Sequence, residues 1–334
     1  MAAAICSSPM RMHAFRLLLP VGILATLSSA SLTAAKESSP PRSDRVELFE
    51  PGVISTRDYE RDGTFSPDGK TFYFTKRTIW PYFSAICVSH FRRGRWSEPE
   101  VASFSGQYPD ATPFVSADGT RLYFASRRPA EVAAAQNVYN IWMVSRVAES
   151  WSTPQRLPQP INSRGSVINP VETRNGSIYF IRTDDARLYV SEHRGAGWAE
   201  PVPVADSATP GTAVTSAYVE PDERFMIVAI AGRADAMSTA EGIYPRADLY
   251  VRERRGNSWS APRHLPPPIN SAAEEGSPFV SPDRRSLYFT SERGPLTEHG
   301  TLYDAAGLEH ALHSPGNGLG DIYRIDFRAT GIAP

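Results

Sequence analysis

Three carboxylates head the same recurring phrase. Glu60, Asp110 and Glu275 stand four residues ahead of Thr64-Phe65, Phe114-Val115 and Phe279-Val280, while the two weaker copies of the phrase carry Val167 and Val214 instead. Two carboxylates at a suitable separation act as acid and base in glycoside hydrolysis, and their hard oxygens can also hold a cation. The position equally suits a structural role, in which each acid accepts from backbone N–H groups or pairs with an arginine such as Arg77 or Arg128. A second constellation is His310-Ala311-Leu312-His313, with His299 and Glu309 nearby. One helical turn would bring its imidazoles to one side, but zinc wants a third ligand and the Glu of H-E-x-x-H is missing. No metal and no cofactor are assigned. Cys87, between Ile86 and Val88, reads as a small packing residue, because no His lies at a telling distance from it.

The elements that must position these groups come from a repeat of roughly 50 residues, a period typical of stacked supersecondary units. Strong copies are Thr64 to Phe74, Phe114 to Phe124 and Phe279 to Phe289, and weaker ones run Pro170 to Phe180 and Tyr218 to Val228. Asp68-Gly69 and Asp118-Gly119 are tight-turn dipeptides. Aromatic alternation follows in Phe72-Tyr73-Phe74, Leu122-Tyr123-Phe124 and Leu287-Tyr288-Phe289, which suits a strand buried between sheets. A third strand is expected at Ala85 to Val88, Asn140 to Val144, Arg187 to Val190, Asp248 to Val251 and Asp321 to Ile325. A fourth opens with Trp and meets Pro three residues later, as in Trp96-Ser97-Glu98-Pro99. Pro is admissible there only on an outer edge. The expected fold is all-β: a five-bladed β-propeller of four-stranded antiparallel blades. The last unit ends at Phe327 without its Trp-x-x-Pro strand, so Val46 to Phe49 is expected to join that blade and close the ring.

Net charge is −1, from 35 Lys and Arg against 36 Asp and Glu, which excludes a nucleic-acid partner held through phosphates. At the N-terminus Arg11 and Arg16 precede an apolar run, Leu17 to Leu27, and then small residues through Ala35. This pattern suits a signal peptide cleaved after Ala30 or Ala35; the same run, if retained, would be an anchor. The expected organisation is a signal peptide over 1–35, a disordered segment over 36–44, one propeller over 45–328 and a tail over 329–334. A periplasmic or secreted monomer is expected, with no membrane span in the mature chain.

The phrases S-P-D-G, L-Y-F-x-S and D-I-Y resemble the WD40-like repeats of TolB-type bacterial propeller proteins. The resemblance covers nearly all of the mature chain and implies a ligand or partner face around a central channel, but no catalytic residue. There is no G-x-S-x-G elbow, which disfavours the peptidase branch. Insertions fall mostly between second and third strands, at 76–84, 128–139, 231–246 and 293–320, so long loops gather on one face. That face carries the candidate binding residues Tyr82, Tyr139, Tyr244, His310 and His313. The expected function is non-catalytic binding of an envelope protein, a peptide or a glycan there. The alternative is a carbohydrate-active enzyme, a glycoside hydrolase or polysaccharide lyase, using Glu60, Asp110 or Glu275 at the channel. A structural envelope protein is a third reading.

Overall fold

The structure is a computed structural model that describes residues 45–79, 82–129, 138–237, 246–296 and 301–332. The segments expected as signal peptide and mature N-terminus lie outside the described residues, as do Tyr244 and His299. Five antiparallel blades form a β-propeller. Blade 1 runs from an inner strand Tyr59–Phe65 through Thr71–Arg77 to Ser84–Arg92. The inner strands of blades 2 to 5 are Asp110–Val115, Val167–Glu172, Ala213–Val219 and Glu275–Val280. Each Trp-x-x-Pro phrase breaks its outer strand in two. In blade 1 the pieces Arg95–Trp96 and Glu100–Val101 both pair with the third strand, one on each side of Pro99. A proline with no N–H to offer sits where no further strand follows.

The ring closes through the N-terminal strand. Glu47 and Leu48 pair with Arg324 and Tyr323, and the Phe49 N–H donates to the Ile322 carbonyl at 2.8 Å. Ser55 then brackets Ile322, its hydroxyl donating to the Ile322 carbonyl and accepting from the Ile322 N–H. Phe49 is buried, with ring centroids of Phe72 and Tyr288 at 5.1 and 4.9 Å, so one side chain joins the first and last blades. Beyond the last strand, Phe327–Thr330 forms a 3-10 turn, and Thr330 and Ile332 are buried.

Every inner strand carries a bulge, at Arg61/Thr64, Ala111/Phe114, Ile168/Val171, Val214/Ser216 and Gly276/Phe279. Four bulge residues are non-glycine with positive φ: Asp62, Thr112, Asn169 and Ser277, at 48 to 59°. Such backbone costs about 1–3 kcal/mol per residue and persists only where surroundings over-determine it. Here the surroundings are hydrogen bonds that cross all five blade interfaces. Thr112 N–H donates to Thr75 Oγ1, and Asn169 N–H to Thr112 Oγ1. Asn169 exchanges two bonds with the Ala217 backbone. Ser277 N–H donates to Ser216 Oγ, and Ser277 Oγ donates to Asp62 Oδ1 at 2.6 Å. A polar girdle thus ties the blades around the axis.

Candidate functional site

Glu60, Asp110 and Glu275 have no exposed surface. Each is clasped by a hydroxyl from the link that precedes its blade and by a cation at or just past the end of its second strand. Glu60 accepts from Thr56 N–H and Oγ1, with Lys76 Nζ at 3.3 Å. Glu275 accepts from Ser271 N–H and Oγ and from Ser291 Oγ, with Arg293 at 3.0 Å. Asp110 takes Ser105 Oγ and the Arg128 guanidinium at 2.9 Å. Burial pushes all three carboxyls above their ordinary values, against the opposing cations and hydroxyls. The arginines continue outward over aromatic rings, Arg128 over Phe124 and Trp142, and Arg293 over Phe289 and Tyr323. These acids pin the inter-blade links. The structure does not bring them to a shared pocket.

Along the axis, a small cavity of about 30 Å³ is bounded by Asp62, Thr112, Asn169, Ala217 and Ser277. Burial raises the Asp62 carboxyl, but Arg61 and Ser277 more than offset this and leave it below the usual range. Sequence reasoning missed this ring. Its signal was a small polar residue before proline in three units: Thr112-Pro113, Asn169-Pro170 and Ser277-Pro278. Toward the tight-turn end the channel opens into a cavity of about 200 Å³ lined by Phe65, Phe114, Tyr218 and Phe279, with Arg174 and Arg284 at its edge. This aromatic lining lies opposite the long-loop face.

At the long-loop end one blade departs from its siblings. The residues just before the clasp position, with the cross-strand residues opposite them, are Tyr59/Arg77, Pro109/Arg127, Ser166/Thr183, Ala213/Ala231 and Glu274/Glu292. Only blade 5 sets two like charges face to face, an arrangement that is destabilising without compensation. Glu292 N–H donates to the Glu274 carbonyl at 3.0 Å, and both side chains are half-buried. Tyr59 donates its hydroxyl to Glu292 Oε1 at 2.6 Å, and its ring carries the Arg77 guanidinium at 3.8 Å. Tyr59 lies so close over Gly320 that a Cβ there would fall 2.3 Å from its ring, so only glycine admits it. Burial, then the Glu292 charge, pushes the Glu274 carboxyl up, with Arg61, Arg77 and Arg246 opposing. Arg61 links this cluster to the axial girdle, bonding Asp62 Oδ1 at 3.1 Å and Ser277 Oγ at 3.3 Å.

Tyr139 is buried and donates to the Tyr82 hydroxyl at 3.1 Å, and the Arg127 guanidinium lies over both rings. His310 and His313 lie on the helix Ala305–His313, both exposed; His310 approaches Ser314, and His313 approaches Glu309. Among the described residues no group of three or more His, Cys, Asp or Glu side chains is arranged to hold a metal. Cys87 is buried and its thiol is pushed up to about 11 by desolvation, which leaves it inert. No helix among the described residues is long and apolar enough to cross a membrane.

No protein-family model matches the chain, and no curated protein matches it. Among solved structures it is similar to the catalytic domain of the GH62 α-L-arabinofuranosidase of Coprinopsis cinerea, at 12% identity, 86% of this chain, 98% of that chain and a TM-score of 0.49. It is also similar to the GH43 protein BlXynB of Bacillus licheniformis, at 12% identity, 86% and 58% coverage and a TM-score of 0.46. TolB of Acinetobacter baumannii gives 13% identity, 80% and 54% coverage and a TM-score of 0.43. At these identities what is common to the chains is their fold.

Proposed function

We propose that this propeller is a carbohydrate-active enzyme whose site is the loop-end mouth of the channel at the junction of blades 5 and 1. The observation that carries the reading is the half-buried Glu274–Glu292 pair, in which one carboxyl is driven toward its protonated form by burial and by its neighbour. Pairs of acids pushed apart in this way divide acid and base roles between them. Glu274 would hold the proton and give it to the leaving glycosidic oxygen. Glu292, fixed by the Tyr59 hydroxyl, would take a proton from water as the water oxygen bonds to the anomeric carbon. The C–O bond to the leaving sugar breaks, water supplies the new hydroxyl, and solvent exchange resets both acids. Cross-strand Cβ atoms lie about 4.5–5.5 Å apart, and two-methylene side chains can diverge from there to the roughly 5–9.5 Å that glycosidases use. The export pattern at residues 17–35 supports an extracytoplasmic glycan, and the S-P-D-G and D-I-Y phrases support a TolB-type repeat.

The test is release of reducing ends from a panel of neutral and acidic oligosaccharides. Wild type is expected to turn over at least one of them. Glu274→Gln and Glu292→Gln are each expected to lower that rate at least ~100-fold with melting temperature unchanged. Turnover that survives both substitutions defeats the proposal. A second reading, glycan binding without turnover, is supported by the aromatic cavity of Phe65, Phe114, Tyr218 and Phe279. It is favoured if the panel binds but nothing is cleaved.

A further inference from the structure

The hairpin turns between third and outer strands are equivalent in blades 1 to 4, and three of them neutralise an arginine. Arg146 meets Glu149 at 3.4 Å, Arg194 meets Glu192 at 2.8 Å and Arg254 meets Glu223 at 3.7 Å, with only Arg255 added in blade 4. Blade 1 is different. Its turn reads Arg92-Arg93-Gly94-Arg95, and among the described residues these three exposed guanidinium groups have no acid within ion-pair distance. Arg93 also occupies a left-handed position, φ 54°, where blades 3 and 4 place Gly195 and Gly256. A bulky cation kept at a backbone position that favours glycine is an unforced cost.

The same place shows a second, independent departure. The indole N–H of Trp151 donates to the Tyr73 hydroxyl, and that of Trp198 to the Gly176 carbonyl, both at 3.0 Å. Trp96 holds the equivalent position in blade 1, and among the described residues its N–H meets no acceptor. Trp96 and the three arginines line one cleft of about 680 Å³, together with His90, Ser97 and the carboxylates of Glu50 and Glu98. Phe49 and Phe91 hold the indole from behind, at 5.7 and 5.4 Å between ring centroids. The cleft lies at the tight-turn end, where Phe91 N–H donates to the Lys70 carbonyl, away from the Glu274–Glu292 mouth.

We infer that this cleft is a binding site for an acidic oligosaccharide, one bearing uronate carboxylates or sulfates. Three unpaired guanidinium groups recognise such anions by forked hydrogen bonds. The free indole N–H adds a donor, and the indole edge offers apolar surface to a sugar ring. Glu50 and Glu98 would repel a layer of anionic headgroups, but in a recess they accept from sugar hydroxyls. That mixed lining favours a glycan chain over a membrane. The inference does not rest on the loop-end reading, since it concerns different residues, on the outer hairpin of blade 1.

Titration calorimetry of the full chain with a galacturonate octasaccharide tests it, with a neutral xylo-oligosaccharide and phosphatidylglycerol vesicles as comparison ligands. The octasaccharide is expected to bind and to weaken as salt rises, while the neutral oligomer does not bind. Arg92→Ala/Arg93→Ala/Arg95→Ala, all exposed and so expected to keep the melting temperature, should lower affinity at least 10-fold. Trp96→Phe, which keeps a ring but removes the N–H, should lower it several-fold. Glu274→Gln should leave it unchanged, separating this site from the loop-end one. Absence of octasaccharide binding at millimolar concentration, binding indifferent to the triple variant, or binding to the vesicles alone overturns the inference.

Discussion

Glu275 and Glu274 are adjacent in the chain and opposite in character. Glu275 is sealed, satisfied by two serines and Arg293, and has counterparts in Glu60 and Asp110. Glu274 is half-exposed, faces another carboxylate, and has no acidic counterpart in any other blade. In a repeat protein, what recurs answers the common need of every unit, namely pinning a link to a blade and a blade to its neighbour. What does not recur answers some other need. The same contrast separates the blade 1 hairpin turn from its three siblings.

Glu275→Ala should give the largest loss of stability, about 3–5 kcal/mol in denaturant unfolding, because it leaves the Arg293 guanidinium partly buried without its acid. A loss below 1 kcal/mol would show that the clasp is not structural. Next comes the girdle. Asp62→Ala removes the acceptor of Ser277 and Arg61, and should cost about 1.5–3 kcal/mol.

A pH-dependent effect is expected at Asp321. Burial, and secondarily Glu60, raises its carboxyl to about 8, against the Gly316 N–H that it accepts. Its folded value exceeds its unfolded one, so its contribution is fully present below about pH 4 and is lost as pH rises through about 8. Stability should therefore decline across that window by up to about 1.4 kcal/mol per pH unit, and Asp321→Asn should flatten the decline. Parallel melting curves of the two proteins from pH 5 to 9 would refute this. The smallest effect belongs to the exposed histidines. His310→Ala/His313→Ala should shift stability by no more than about 0.5 kcal/mol, and zinc should leave the melting temperature of both proteins in place.

Much of the architecture was legible because it is written five times. The Asp-Gly turns, the Leu-Tyr-Phe strands and the missing final Trp-x-x-Pro together imply five blades and an N-terminal closing strand, and Glu47–Leu48 pairs with the last blade accordingly. The site was less legible, for a geometric reason. Side chains alternate along a strand, so a shift of one residue exchanges the buried and the open face. Glu275 recurs among the copies and Glu274 does not, so the repeat pattern marks the first and is silent on the second. The inner bulges add one residue at the axis and turn Asp62, Thr112, Asn169 and Ser277 onto each other, a rearrangement that no two-residue period announces. Phe65, Phe114, Tyr218 and Phe279 line the mouth opposite the long-loop face. Their strand ends point there because the inner strands finish at the tight turns.

The coupling of Glu274 to Glu292 is the claim on which the loop-end site stands, and carboxyl chemical shifts measure it directly. With ¹³C-labelled glutamate, the account predicts that Glu274 titrates above the ordinary value of about 4.3 and falls back toward it in Glu292→Gln. A Glu274 that titrates at the ordinary value, or one that Glu292→Gln leaves in place, would contradict it.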